Sequence, residues 1–273
     1  MKLRNLFQLL GFRGSPRSYG FEVRSFDLPT EGRVEYAQWL HPGETAKRVD
    51  QGSVDELRRF LSPGDVAIDI GAHTGDSTIP IALAVGRTGC VIALEPNPYV
   101  FPVLAYNATL NRGKTNIVPC PFAAAPSDGS MEFEYSDAGY CNGGRHEGIS
   151  RWRHGHAFRL PVQGRDLHAH LQRSHPDLVP RIRYIKVDAE GYDLAILKSL
   201  TALIADRRPY IKAEVYKHAT ASQREALFAF LVGHSYTVHR VASEREYLGE
   251  RIVSASGLAA GHFDIFCLPA RER

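Results

Sequence analysis

The sequence is poor in the features that would place it in a specialised class. Its four cysteines, Cys90, Cys120, Cys141 and Cys267, lie too far apart for the close pairs of a zinc ribbon or a dithiol redox motif, so a reducing, cytoplasmic setting is expected. No block of five or six like charges occurs and the formal net charge is only +3, which speaks against a nucleic-acid partner. Nor does the N-terminal run Leu6-Phe7-Gln8-Leu9-Leu10-Gly11-Phe12 reach membrane-spanning length: it is broken by Gln8, and no small-residue cleavage site follows it. A helix docked on the rest of the chain is its expected form, with weak peripheral membrane contact through Lys2 and Arg4 as the alternative. There is no internal repeat, and nothing in the sequence sets an oligomeric state.

What is present is ordinary for a folded protein: 273 residues, 44% of them apolar and 23% charged, enough to bury a sizeable core. Residues 1–50 are rich in glycine and proline and read as an N-terminal segment of loops and short elements; residues 51–273 read as one domain with an insertion at 128–160. A helix is expected over 53–61, with Ser53 as N-cap and Glu56 completing a capping box. Short apolar runs then alternate with helical stretches. Strands are expected near 66–70, 91–95, 116–120, 182–188, 210–215 and 263–268, and helices near 76–85, 98–111, 166–173, 192–204 and 222–233. That alternation predicts an α/β fold with a parallel sheet flanked by helices. In the insertion, Asp128-Gly129 reads as a tight turn and residues 131–135 alternate like a half-buried strand.

The chemistry concentrates where the first of these strands ends, at Asp69-Ile70-Gly71-Ala72-His73-Thr74-Gly75. Open α/β sheets bind ligands beyond the carboxyl ends of their strands. The glycine spacing is Gly-x-x-x-Gly, without the further glycine that lets a backbone approach a pyrophosphate, and an acid just before the turn would repel that dianion. A nicotinamide-dependent oxidoreductase is disfavoured on this ground. S-adenosylmethionine carries an ammonium and a sulfonium but no phosphate, so a carboxylate suits it. The next strand ends in Glu95, at the interval expected of a ribose-binding acid; the competing role for Glu95 is to cap the helix after Pro96-Asn97-Pro98.

Taken together, Asp69 to Gly75, Glu95-Pro96-Asn97-Pro98, Asn107 and Asn111 on the following helix, and Ile185-Lys186-Val187-Asp188-Ala189-Glu190-Gly191 resemble the FkbM family of methyltransferases over residues 60 to 268. The resemblance implies a class I methyltransferase (Rossmann-like) fold with a mostly parallel, seven-stranded sheet. It also implies S-adenosylmethionine as donor and a hydroxyl acceptor on a small molecule or glycan, such as a saccharide or secondary metabolite. By position it implies a cofactor-binding set of Asp69, Gly71, Ala72, His73, Gly75, Glu95, Pro96, Asn97, Phe122, Ala123 and Asp188. A non-catalytic subunit that keeps the fold and the ligand is the alternative.

Candidate catalytic residues are Asp188, Glu190, Glu214 and His73. Lys186 and Asp188 share one face of their strand, and Asp188 can take the acceptor's proton or stabilise the sulfonium. Glu190 and Glu214 serve either catalysis or an ion-pair network with Lys186 and Lys212. His73 either reaches the methyl-transfer region or caps the next helix. Asp188, Glu214 and His218 are conceivable metal ligands, but their spacing is not diagnostic and no metal is expected. In Gly139-Tyr140-Cys141-Asn142-Gly143-Gly144, Tyr140 and Asn142 are candidate acceptor contacts, as is Trp152 near His154 and His156 for stacking on a sugar.

Overall fold

The computed structural model describes residues 16–141, 143–145, 158–259 and 261–270. The expectations for residues 2–12 and for Asn142, Trp152, His154 and His156 lie outside these residues.

The chain first forms an antiparallel hairpin of β1 (Phe21–Leu28) and β2 (Gly32–Trp39), turning at Gly32 with φ of +64°. Helix α1 (Gln51–Arg58) follows, and its N-cap is Asp50, not the expected Ser53: the Asp50 carboxylate accepts from the Ser53 amide at 3.2 Å. Glu56 closes no capping box. It accepts the Tyr247 amide at 2.7 Å and pairs with Arg59, pinning the helix to a distant loop.

Then come β3 (Val66–Ile70), α2 (Thr78–Val85), β4 (Cys90–Leu94), α3 (Phe101–Asn107), β5 (Ile117–Cys120), β6 (Ala123–Ala125), β7 (Gly129–Tyr135), β8 (Gly143–Gly144), β9 (Phe158–Asp166) and α4 (Leu167–Ser174). The chain continues with β10 (Ile182–Val187), α5 (Asp193–Ser199), α6 (Thr201–Arg207), β11 (Tyr210–Val215), α7 (Ala221–Gly233), β12 (Tyr236–Arg240), β13 (Arg251–Ile252) and β14 (Phe263–Pro269). The helix expected over 192–204 is two helices meeting at Leu200. There the Ser199 and Thr201 hydroxyls donate to the carbonyls of Ile196 and Lys198 and compete with the helical ladder.

The main sheet has the order β13-β12-β14-β11-β10-β3-β4-β5. It is eight-stranded and mixed, which corrects the expectation of a mostly parallel sheet of seven. The five strands from β11 to β5 are parallel, as the helices between them require, while β14 is antiparallel to both β11 and β12. No α-helix lies between β12 and β14, so no crossover exists to restore the direction, and the two-residue β13 adds an edge. Strands β3 and β4 are buried along their whole length, which is why both read as continuous apolar runs.

The insertion forms a second sheet of order β6-β9-β7-β8. Strand β7 occurs where alternation predicted one. Its long partner β9 has a burial pattern that alternates in register, although Pro161 and Gly164 weaken its signature.

Asn107 at the end of α3 and Asn111, expected on that helix but found in the turn after it, serve the hairpin. Asn107 exchanges hydrogen bonds with the backbone of Ala37 (2.6 and 3.1 Å) and Asn111 with that of Glu35 (2.9 and 2.8 Å). Two amides, one at the last residue of α3 and one in the turn after it, thus complete the free edge of β2 at alternate residues. Asn107 Nδ2 also donates to the Thr74 carbonyl at 2.7 Å, locking the hairpin to the glycine turn. Among the described residues no helix is long and apolar enough to cross a membrane.

Candidate active site

At the end of β3, Gly71 and Gly75 have φ of +76° and +97°, and His73 between them has φ of +49°. Gly71 is required twice over. Its backbone is left-handed, and a Cβ there would collide with the Asp188 carbonyl at the end of β10, whose amide donates to Ile70 at 3.0 Å. Asp69 is fully buried beneath this turn: the Ser77 and Thr78 hydroxyls donate to its Oδ2 at 2.8 and 2.7 Å, and Lys186 lies 3.5 Å from its Oδ1. The acid that marks the motif therefore holds the start of α2 and does not reach the cavity.

Glu95, at the end of β4, is also buried, but it faces the cavity. Its Oε2 accepts the His73 amide at 3.0 Å and its Oε1 accepts the Asn97 amide at 2.8 Å. Burial pushes its pKa up, opposed by the charge on His73 and by these two amides. Glu95 does not cap the helix after it, whose N-cap is Val100 without a side-chain cap bond, and Asn97 Oδ1 accepts the Tyr99 amide at 2.9 Å in the turn between.

The cavity beyond the strand ends has a volume of about 520 Å³. Of the residues singled out in the sequence, Gly71, His73, Glu95, Pro96, Phe122, Ala123, Asp188 and Glu190 line it. Asp69, Ala72, Gly75, Asn97 and Glu214 stand behind its wall. Ala72 donates to the Leu94 carbonyl, and Gly75 sits against Leu104. Tyr140 is not a lid residue: it is buried, stacked on Tyr99 with ring centroids 4.6 Å apart, and absent from the cavity wall. Phe133 and Tyr135 of the insertion do line the cavity, and the period-2 pattern of β7 was the signal that could have found them.

Asp188 is the most accessible acid on the β10 side, with 44% of its side chain exposed and Lys186 at 3.2 Å. Burial lowers the pKa of Lys186, but the carboxylates of Asp188 and Asp69 outweigh it and hold the ammonium well above its usual range. Behind it the acids crowd. Burial and then Asp188 raise Asp193 to about 7, although the Gly191 and Ala189 amides donate to it at 3.2 and 3.4 Å. Burial, followed by Asp188, Asp193 and Glu190, raises Glu214 to about 10. Glu214 lines a separate cavity of about 30 Å³ with Asp193, and His262 Nδ1 lies 3.3 Å from its Oε1. Lys212 does not relieve this group as expected, because Glu244 and Asp264 occupy it at 2.7 and 3.1 Å. Among the described residues Asp188, Glu214 and His218 do not assemble as a metal-ligand group.

The opposite wall comes from residues that sequence reasoning did not select. Lys47 pairs with Asp76 at 2.8 Å and with Glu44 at 3.3 Å, and all three face the cavity. Their only signal in the sequence is a cluster of charge in a loop rich in glycine and proline.

The family model described as Methyltransferase FkbM domain matches residues 69–247. The hexuronic acid methyltransferase AglP of Haloferax volcanii is 27% identical over 154 residues, which cover 55% of this chain and 57% of that protein. The chain thus spans little more than half the length of this relative. Among solved structures, methyltransferase FkbM from Methylobacillus flagellatus KT aligns with a TM-score of 0.48 and 14% identity, over 77% of this chain and 44% of that one. An rRNA methylase from Streptococcus thermophilus aligns with a TM-score of 0.44 and 11% identity, over 80% and 95% of the two chains.

Proposed function

The chain belongs to the FkbM methyltransferase family, and on that premise we propose that it is an S-adenosylmethionine-dependent O-methyltransferase acting on a hydroxyl of a saccharide or secondary metabolite. The observation that carries this reading is the state of Glu95. Each of its oxygens accepts one backbone amide and keeps a second lone pair, on a cavity wall at the ends of two parallel strands, which suits a pair of ribose hydroxyls. Phe122 and Ala123 would border the adenine, and Gly71 and His73 the methionine side. A cavity of about 520 Å³ is of the size that takes such a ligand.

Bound there, S-adenosylmethionine supplies the electrophilic methyl group of its sulfonium. The chain's own task is to align the acceptor and remove its proton. Asp188 is suited to the second: it is the accessible carboxylate beside the turn, and Lys186 at 3.2 Å fixes its orientation. Glu190, with φ of +52° at the same edge, adds negative potential that favours a cation. Glu214 has no place in the chemistry on this reading, since it lies behind the wall. A saccharide acceptor is supported by the activity named for the Haloferax relative. All four cysteines are buried and unpaired, in keeping with a cytoplasmic location as part of the same proposal.

The test is calorimetric titration of the protein with S-adenosylmethionine, followed by transfer of labelled methyl to a panel of neutral and acidic saccharides and secondary metabolites. Failure to bind the donor would sink the proposal outright. Binding without transfer to any hydroxyl compound would replace it with the non-catalytic reading.

A further inference from the structure

We propose that Glu44, His73 and Cys141 form a binding site for one borderline divalent cation of the zinc class, open on its fourth side to the cavity. The three side chains come from separate stretches: the loop after β2, the glycine turn after β3, and the segment before β8. Glu44 Oε2 lies 3.8 Å from His73 Nε2 and 3.6 Å from Cys141 Sγ, and the three ligand atoms are all within 4.8 Å of one another. A tetrahedral zinc with bonds of about 2.0 Å to nitrogen and oxygen and about 2.3 Å to sulfur keeps its ligand atoms about 3.3–3.6 Å apart. Small rotamer adjustments bring the set to that spacing. One sulfur, one imidazole nitrogen and one carboxylate oxygen are a borderline donor set; calcium and magnesium would require oxygens.

The surroundings suit a ligand set, because Glu44 and His73 each have a second partner. The other oxygen of Glu44, Oε1, faces Lys47 at 3.3 Å. The other nitrogen of His73, Nδ1, lies 3.5 Å from Thr74 Oγ1, which in turn is 2.5 Å from the Tyr36 hydroxyl. The His73 amide is committed to Glu95, which leaves its imidazole for the cation. Glu44 is 5% exposed and Cys141 is buried, whereas His73 keeps 27% exposure, so access is from the His73 side, where the cavity lies.

The charges also balance. Lys47 and Asp76 neutralise one another, and a dication would match the Glu44 carboxylate and a Cys141 thiolate. On binding, the Cys141 S–H bond breaks, its proton passes to solvent and a sulfur–metal bond forms, with no change of oxidation state. The site shares His73 with the proposed donor pocket, and the test reads metal binding with neither donor nor acceptor present.

The test is titration of chelator-treated full-length protein with cobalt(II), a spectroscopic stand-in for zinc. One equivalent is expected to bind with intense tetrahedral visible bands and a near-ultraviolet thiolate-to-cobalt charge-transfer band, and added zinc is expected to displace it. Cys141→Ser should abolish the charge-transfer band, and Glu44→Gln should weaken cobalt affinity at least about tenfold. Cys120→Ala should leave both unchanged. Thermal unfolding of each variant confirms that it is folded. No charge-transfer band in the wild type, or a band that survives in Cys141→Ser, overturns the site and leaves the cluster as a thiol hydrogen-bonded to a carboxylate.

Discussion

The carboxyl ends of β3 and β4 and those of β10 and β11 both carry buried acids, yet they keep them in different ways. On the first side every acid has donors: two hydroxyls and a lysine around Asp69, two backbone amides on Glu95. On the second, Asp193 and Glu214 share a small cavity with other acids close by. Burial raises Glu95 and Glu214 alike. What separates them is that His73 and two amides oppose the rise for Glu95, whereas four further carboxylates add to it for Glu214. An acid provided with donors can act as a fixed hydrogen-bond acceptor for a ligand. An acid stacked among acids holds a proton and serves the fold. Asp188 stands between the two groups with 44% of its side chain exposed, on the cavity wall.

The comparison can be broken most severely at the contact between the two sides. Gly71→Ala should cost more than about 4 kcal/mol of stability, because a left-handed backbone and a Cβ driven against the Asp188 carbonyl act together. Denaturant unfolding measures it, and a wild-type midpoint would show that β3 and β10 do not meet this closely. Asp188→Asn should lower kcat by about 10²- to 10³-fold, equivalent to about 3–4 kcal/mol, with donor affinity within about threefold of wild type. An equal loss in donor affinity would assign Asp188 to binding instead.

Glu95→Gln should weaken donor binding by about 2 kcal/mol, roughly 30-fold, since an amide accepts hydrogen bonds at one atom where the carboxylate accepts at two. Calorimetry reads this directly, and unchanged affinity would remove Glu95 from the ribose site. The effect at Glu214 is expected to show only as a pH dependence of stability. An acid whose native pKa is raised adds stability that is complete below its ordinary value of 4.5 and is lost as pH rises through about 10. Wild-type melting temperature should therefore fall with pH across that window. Glu214→Gln, which mimics the protonated form, should flatten the slope and melt at a higher temperature than wild type at pH 8. A slope left as steep as in the wild type would place the titration elsewhere.

Much of this was legible along the chain. The strands at β3, β4, β10 and β11 and the glycine turn announced themselves through short apolar runs and turn residues. The half-buried β7 showed in its alternation. Strand β9 was hidden by Pro161 and Gly164, and the break at Leu200 by two helices that share one apolar period. Asp69 and Glu95 looked alike, as acids ending consecutive strands, but side-chain alternation and the position of α2 turned one under the turn and the other toward the cavity. Glu44 and Lys47 carried no pattern at all, because a loop residue enters a site through the packing of its flanking elements.

By itself, then, the sequence determined the local units: which stretches extend, where they turn, and that glycine must stand at 71 and 75. Those properties depend on residues within a few positions of each other, through backbone sterics and hydrophobic period. Only the tertiary structure decided which acid is solvated, which lysine is already occupied, and that Glu44, His73 and Cys141 meet. Burial and electrostatics are set by partners far apart in the chain, and here the register that joins them is made by Asn107 and Asn111 binding the edge of β2.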